Sequence, residues 1–211
     1  MKLYCLSGLG VDRRAFQNIN AEGVELIHID WIDPLPAETL QNYAKRLFSK
    51  VQPEDGYNII GVSFGGMIAT EFSKIKKPNK LFLVSTINNR SQLNLLFKIG
   101  SALRLHKLIP SSMARKSNFI TNFLFSLKDG TDKDLLAEIL KDTDPVFLKW
   151  AIDAITKWNN KIKPSGIVIH GSKDRILPLK ANVQYSITGG GHFMIVNRAD
   201  EISLIIEKEG V

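Results

Sequence analysis

Six short apolar runs rich in branched residues recur along the chain: residues 2–6 (KLYCL), 24–29 (VELIHI), 57–61 (YNIIG), 80–84 (KLFLV), 166–170 (GIVIH) and 184–187 (QYSI). Most are separated by stretches whose apolar residues follow the helical period, at 12–19, 37–50, 64–75, 145–159 and 199–208. Strands joined through helices run parallel, and parallel strands covered on both faces read as continuous apolar runs. The pattern predicts an α/β fold with a mostly parallel sheet of about six strands and helices on both faces. Pro34, Pro36, Pro53, Pro78, Pro164 and Pro178 all fall between these elements, where a missing N–H costs nothing. A length of 211 residues suits one well-buried core, so residues 1–211 are expected to form a single domain.

The alternation breaks between about 88 and 144, which reads as two or three helices over 93–109, 117–127 and 133–141 with no strand. Such an insertion cannot belong to the sheet. It is expected to form a helical cap over the C-terminal ends of the strands, where open α/β folds bind their ligands. The excess charge sits in one segment that overlaps this interval. Net charge is +7, and between Glu71 and Asp129 there is no acidic residue, whereas Lys74, Lys76, Lys77, Lys80, Arg90, Lys98, Arg104, Lys107, Arg115, Lys116 and Lys128 all fall there.

No stretch approaches the roughly 20 apolar residues that cross a bilayer. The start, MKLYCLSGLG, meets glycine too soon for a signal peptide and lacks a small-x-small cleavage site, so it reads as the first strand. The single cysteine, Cys5, lies in that strand. It can make no internal disulfide, which suits a cytoplasmic protein, and reads as a small buried hydrophobe.

Between the third strand and the next helix stands Gly61-Val62-Ser63-Phe64-Gly65. In that context G-x-S-x-G is a nucleophile elbow: the turn forces the serine into a strained conformation, and residues two before and two after it can carry no bulk. Chance alone would put two glycines and a serine at this spacing on the order of 0.1 times in such a chain. The competing reading, a phosphate-binding loop, requires G-x-G-x-x-G or G-x-x-x-x-G-K-[ST], and GVSFGG matches neither.

A serine hydroxyl needs a base, and the base needs an orienting carboxylate. Of the four histidines, His28 ends an early strand, His106 sits among lysines and leucines, and His170 reads as a structural strand-end residue. His192 stands in GGGHFMIVNRADEI, a glycine-rich loop able to hold an imidazole over the sheet edge. Asp174, in VIHGSKDRILP, lies past the fifth strand and before His192 in chain order. Residues 85–89 offer no rival acid, and Asp129, Asp132, Asp134, Glu138, Asp142 and Asp144 read as surface charges or helix caps. Two N–H donors for a developing oxyanion are expected from Phe64, directly after the serine, and from Leu9 in the glycine-bearing loop after the first strand. Asp12 in that loop reads as the N-cap of the following helix.

Taken in order, Ser7-Gly8-Leu9-Gly10, GVSFGG, HGSKDRILP and GGGHFMI resemble the oxyanion turn, nucleophile elbow, acid turn and histidine loop of a compact, bacterial-type α/β-hydrolase, and they span residues 3–208. Ser7 stands where the family often has histidine, and the first strand corresponds to the one usually third. Asp174 and His192 are only 18 residues apart, leaving room for a brief strand and little more. The resemblance implies a serine hydrolase with catalytic Ser63, Asp174 and His192, an oxyanion hole from Leu9 and Phe64, and no need of a metal or cofactor. Its substrate would be a carboxylic ester or thioester. The alternative is a non-hydrolytic protein on the same fold, a lyase, a cofactor-free oxidative enzyme or a ligand sensor.

In this family the cap usually shapes the substrate pocket. Residues 93–109 are too apolar for a helix with one wet face, and three readings stay open. The cap buries itself against the core, or it forms an acyl pocket under a basic rim suited to a substrate with an anionic end, or it rests peripherally on an anionic membrane. Nucleic acid is not expected as a partner, because the positive residues are dispersed and no binding module is recognisable.

Overall fold

A computed structural model describes residues 1–93, 119–179 and 183–210. Six strands form one fully parallel sheet in the order β2-β1-β3-β4-β5-β6: β1 (Lys2–Leu6), β2 (Glu25–His28), β3 (Asn58–Val62), β4 (Lys80–Val84), β5 (Ile167–Gly171) and β6 (Tyr185–Ile187). Each lies within a residue of the run that predicts it. The helices are α1 (Leu40–Val51), α2 (Phe64–Ile75), α3 (Phe119–Leu124), α4 (Gly130–Asp142), α5 (Pro145–Lys157), α6 (Met194–Asn197) and α7 (Ala199–Gly210). None of the described helices is long and apolar enough to cross a membrane.

Strand side chains alternate between two cores, because successive residues point to opposite faces. Leu3, Cys5, Ile60, Val62, Phe82, Val84, Ile167 and Ile169 join Phe16 and the Ile202 and Ile206 face of α7 on one side. Leu6, Ile59, Leu81 and Leu83 meet α1, α2 and α5 on the other, through Tyr43, Leu47, Met67, Ile68, Phe72, Ala151 and Trp158. Cys5 is fully buried, its Sγ–H donates to the Leu3 carbonyl, and burial pushes its thiol pKa up. It is the inert hydrophobe its position implies.

Two local expectations change. Residues 12–19 make a single 3-10 turn, Arg13–Phe16, rather than a helix. Asp12 is its N-cap, as expected, but it bonds the N–H only two residues on, at Arg14. With only Ala15 and Phe16 to bury, nothing extends the turn. The short helix α6 has no counterpart in the sequence reading, because four residues are too few to show a period. Asp129 and Asp144 are N-caps of α4 and α5, worth about 1 kcal/mol each.

Within the interval 88–144, helices α3 and α4 are described; most of the expected helix 93–109 and its basic residues, with His106, lie outside the described residues. The described part contacts loops at the C-terminal end of the sheet. Thr143 Oγ1 donates to Gly10 O at 2.9 Å, Ser126 Oγ to Lys173 O at 3.1 Å, and Arg175 to Phe123 O at 2.8 Å. Leu136, Ile139 and Leu140 of α4 enter the main core.

The strand order reverses between β1 and β3, so their connections leave a crevice at their C-terminal ends. There the first turn of α2 passes so close to the end of β1 that a Cβ on Gly65 would sit 2.3 Å from both the Leu6 and Ser7 carbonyl oxygens. Gly65→Ala must therefore displace backbone, at a cost of about 1–3 kcal/mol or more. We expect thermal unfolding to shift down by about 2–10 °C. Gly130→Ala, with nothing near its Cβ, should leave the midpoint almost unmoved. Equal midpoints for the two variants would contradict this packing.

Candidate active site

Ser63 stands between β3 and α2 with φ 51° and ψ −116°, a region that L-residues avoid. Its N–H donates to Val84 O at 3.0 Å and its carbonyl accepts from Gly66 N at 3.0 Å. A Cβ on Gly61 would lie 2.5 Å from Gly65 O, so both glycines flanking the serine answer the crowding that the spacing implies. The turn lifts Ser63 off the end of the sheet and leaves it half-buried at the mouth of the crevice.

His192 comes to it from the loop after β6. Its Nε2 lies 2.9 Å from Ser63 Oγ, and its Nδ1 lies 2.8 Å from Asp174 Oδ2. A ring contact helps fix the imidazole: Phe125 meets it edge-on, with centroids 5.6 Å apart. Asp174 follows β5 in a tight turn, and its Oδ1 accepts the N–H groups of Ile176 at 3.0 Å and Leu177 at 2.8 Å. The three residues singled out from the sequence thus form one hydrogen-bonded series, and a histidine so placed can take a proton from the serine hydroxyl while the carboxylate holds its other N–H.

A fourth residue, which the sequence presents as a structural strand-end histidine, reaches the same carboxylate. His170, at the end of β5, is buried; its Nε2 donates to Leu177 O at 2.7 Å and lies 3.4 Å from Asp174 Oδ2. The contact depends on the Asp174–Leu177 turn folding back over the strand end, for which the sequence carries no signal. His28 ends β2 against the Phe16 ring, away from this cluster.

Burial of Asp174 by itself raises its carboxyl pKa. The charge of His192, the hydrogen bonds from His170 and His192, and the Leu177 N–H outweigh that and hold the group well below the usual carboxylate range. Asp174 is therefore ionised at any pH near neutral, as an orienting carboxylate must be.

Leu9 and Phe64 border the same cavity as Ser63 and His192. Phe64 is the first residue of α2, so its N–H has no acceptor within the helix. The Leu9 N–H takes no acceptor among the backbone hydrogen bonds of the described loops. Gly8 brings this loop against the serine: a Cβ there would meet Ser63 Cβ at 3.6 Å. The cavity, about 170 Å³, is otherwise lined mainly by apolar side chains that include Val11, Met67, Leu93, Ile155, Leu177 and Ile195, with Thr156 beside them, and no Lys, Arg, Asp or Glu is among its described lining. The described residues hold no group of His, Cys, Asp and Glu suited to a metal ion.

No protein-family model matches the chain, and no curated protein matches it by sequence. Solved structures do. An esterase from Exiguobacterium antarcticum superposes with a TM-score of 0.75 at 16% identity, covering 99% of this chain and 91% of that one. A thermophilic esterase from Thermogutta terrifontis gives 0.73 at 15% identity, covering 99% and 89%. A bromoperoxidase from Bacillus anthracis gives 0.66 at 14% identity, covering 99% and 91%. Near-complete coverage at these scores, with the six-stranded parallel sheet and the flanking helices, shows that the chain has the α/β-hydrolase fold.

Proposed function

We propose that the chain is a serine hydrolase that cleaves a carboxylic ester or thioester through an acyl-enzyme. The observation that carries this reading is the unbroken series Ser63 Oγ to His192 Nε2 at 2.9 Å and His192 Nδ1 to Asp174 Oδ2 at 2.8 Å, with the serine on a strained turn facing an apolar cavity. Esterases are among the structures that share the fold.

In this reaction Ser63 Oγ attacks the carbonyl carbon as its proton passes to His192 Nε2, and the carbonyl oxygen becomes an oxyanion held by the Leu9 and Phe64 N–H groups. The tetrahedral adduct collapses, the carbon to leaving-group bond breaks, and His192 returns its proton to the departing alcohol or thiol. Ser63 is left acylated. Water then attacks, giving its proton to His192; the second adduct releases the acid and restores the Ser63 hydroxyl. Throughout, Asp174 keeps the His192 Nδ1 proton in place and stabilises the imidazolium. The absence of charged side chains from the described cavity lining favours an uncharged, apolar acyl group. Of the basic residues that suggest an anionic substrate end or a membrane contact, Lys98, Arg104, Lys107, Arg115 and Lys116 lie outside the described residues.

A cofactor-free oxidative activity is the second reading, favoured by the bromoperoxidase among the structural neighbours. Ester turnover separates the two. Wild type should hydrolyse short-chain aryl esters and react with a fluorophosphonate probe at Ser63, and Ser63→Ala or His192→Ala should lower turnover by about 10⁴-fold or more. Labelling that persists in Ser63→Ala would rule out the serine as nucleophile.

Asp174 gives a second prediction. Its folded-state pKa lies below the unfolded value of about 3.9, so its stabilising contribution is complete above that pH and is lost as pH falls through the folded value. Asp174→Asn should cost stability in urea unfolding near neutral pH, with the gap from wild type narrowing below about pH 4. Turnover of this variant should fall by about 10⁴-fold. A gap that widens in acid would contradict the assignment.

A further inference from the structure

Ser63 and Phe64 share one planar peptide, and in a trans peptide the C=O and N–H point in opposite directions. Whatever holds the Ser63 carbonyl therefore aims the Phe64 N–H. Two groups hold it: the Gly66 N–H at 3.0 Å and the Thr86 hydroxyl, whose Oγ1 lies 2.5 Å from Ser63 O. Thr86 also lies 3.3 Å from the Ile87 carbonyl, but a hydroxyl has one proton and the shorter contact takes it.

The placement of Thr86 is itself built. Just before it, Ser85 takes φ 45° at the end of β4 and donates its N–H to Ile169 O at 3.1 Å, which turns the chain back over the neighbouring elbow. Thr86 is buried, and its side chain fills the space a Cβ on Gly66 would occupy, with Cγ2 at 2.4 Å and Oγ1 at 2.6 Å from that position. That packing holds the hydroxyl toward the Ser63 carbonyl.

We propose that Thr86 is a positioning residue for the oxyanion hole: its hydroxyl pins the Ser63 carbonyl and so directs the Phe64 N–H at the developing oxyanion. This rests on the serine-hydrolase reading given above. It assigns a task to the side chain of a residue that does not touch substrate, and it separates the task of the hydroxyl from that of the methyl group beside it.

The two are tested by opposite substitutions. Thr86→Val keeps the shape and removes the donor; Thr86→Ser keeps the donor and removes the methyl. If the hydroxyl aims the peptide, Thr86→Val lowers kcat for an aryl ester by about ten- to hundredfold with KM nearly unchanged. It also weakens a boronic acid that forms a tetrahedral adduct on Ser63 by a similar factor, while Thr86→Ser stays within a fewfold of wild type in both. If Thr86 only fills space, Thr86→Ser is the damaged variant and Thr86→Val is not, and the proposal falls. An active wild type with an unimpaired Thr86→Val overturns this inference alone. A wild type with neither turnover nor fluorophosphonate labelling overturns the hydrolase reading and this inference with it.

Discussion

Two backbones, the first turn of α2 and the end of β1, pack directly against each other. Nothing larger than hydrogen fits at Gly65 between them. This contact presses the loop carrying Gly8 and Leu9 against the serine turn, and it leaves Ser63 no ordinary backbone conformation in which to leave β3 and enter α2. A residue in such a region costs of the order of 1–3 kcal/mol and survives only where its surroundings over-determine it. Here they do: the N–H of Ser63 is bonded to β4, its carbonyl to Gly66 and Thr86, and its neighbours lie in the central strands of a sheet covered on both faces. Sheet packing thus sustains the local strain, and the strain presents the hydroxyl.

The electrostatics of the site follow from the same geometry. A carboxylate as deeply buried as Asp174 would ordinarily be driven toward its neutral form. It is kept ionised first by the charge of His192 and the hydrogen bonds of His170 and His192 to one oxygen, and then by the Leu177 N–H that its turn, folding back on itself, brings to the other. His170 serves that turn as well as the carboxylate, since its bond to the Leu177 carbonyl ties the turn to the end of the strand that it leaves. The acid is thereby fixed in position by its own turn and by two imidazoles.

What could be read from the sequence is what depends on local pattern. The strands were legible because parallel strands with two covered faces need uninterrupted apolar residues, and the serine turn because its steric demand falls on named neighbours, Gly61 and Gly65. Asp174 and His192 were legible through chain order, each sitting just past a strand. His170 was not, because nothing local distinguishes a strand-end histidine facing a core from one facing a carboxylate; the difference arises from the turn four residues on. Thr86 escaped for a similar reason. Its role depends on register between β3 and β4 and on the positive φ of Ser85, a conformation serine composition does not announce. The 3-10 turn at Arg13–Phe16 was overread as a helix because Asp12, a capping residue, starts single turns and helices alike.

The charge of the chain and the chemistry of its cavity point in different directions, and the fold explains how both can hold. A net charge of +7 acts over the surface, where it attracts anions and is screened within about 10 Å at ordinary salt. The cavity over Ser63 is bounded in the described structure by the ends of two apolar cores, one from each face of the sheet: Val11 and Ile195 from the first, Met67 and Leu177 from the second. Any group entering there is desolvated against branched and aromatic side chains, which oppose a charge carried inward. Among the described lining residues none supplies a counter-ion. What the described cavity admits is therefore set by its apolar lining, and what the described surface attracts is set by charges that do not line it.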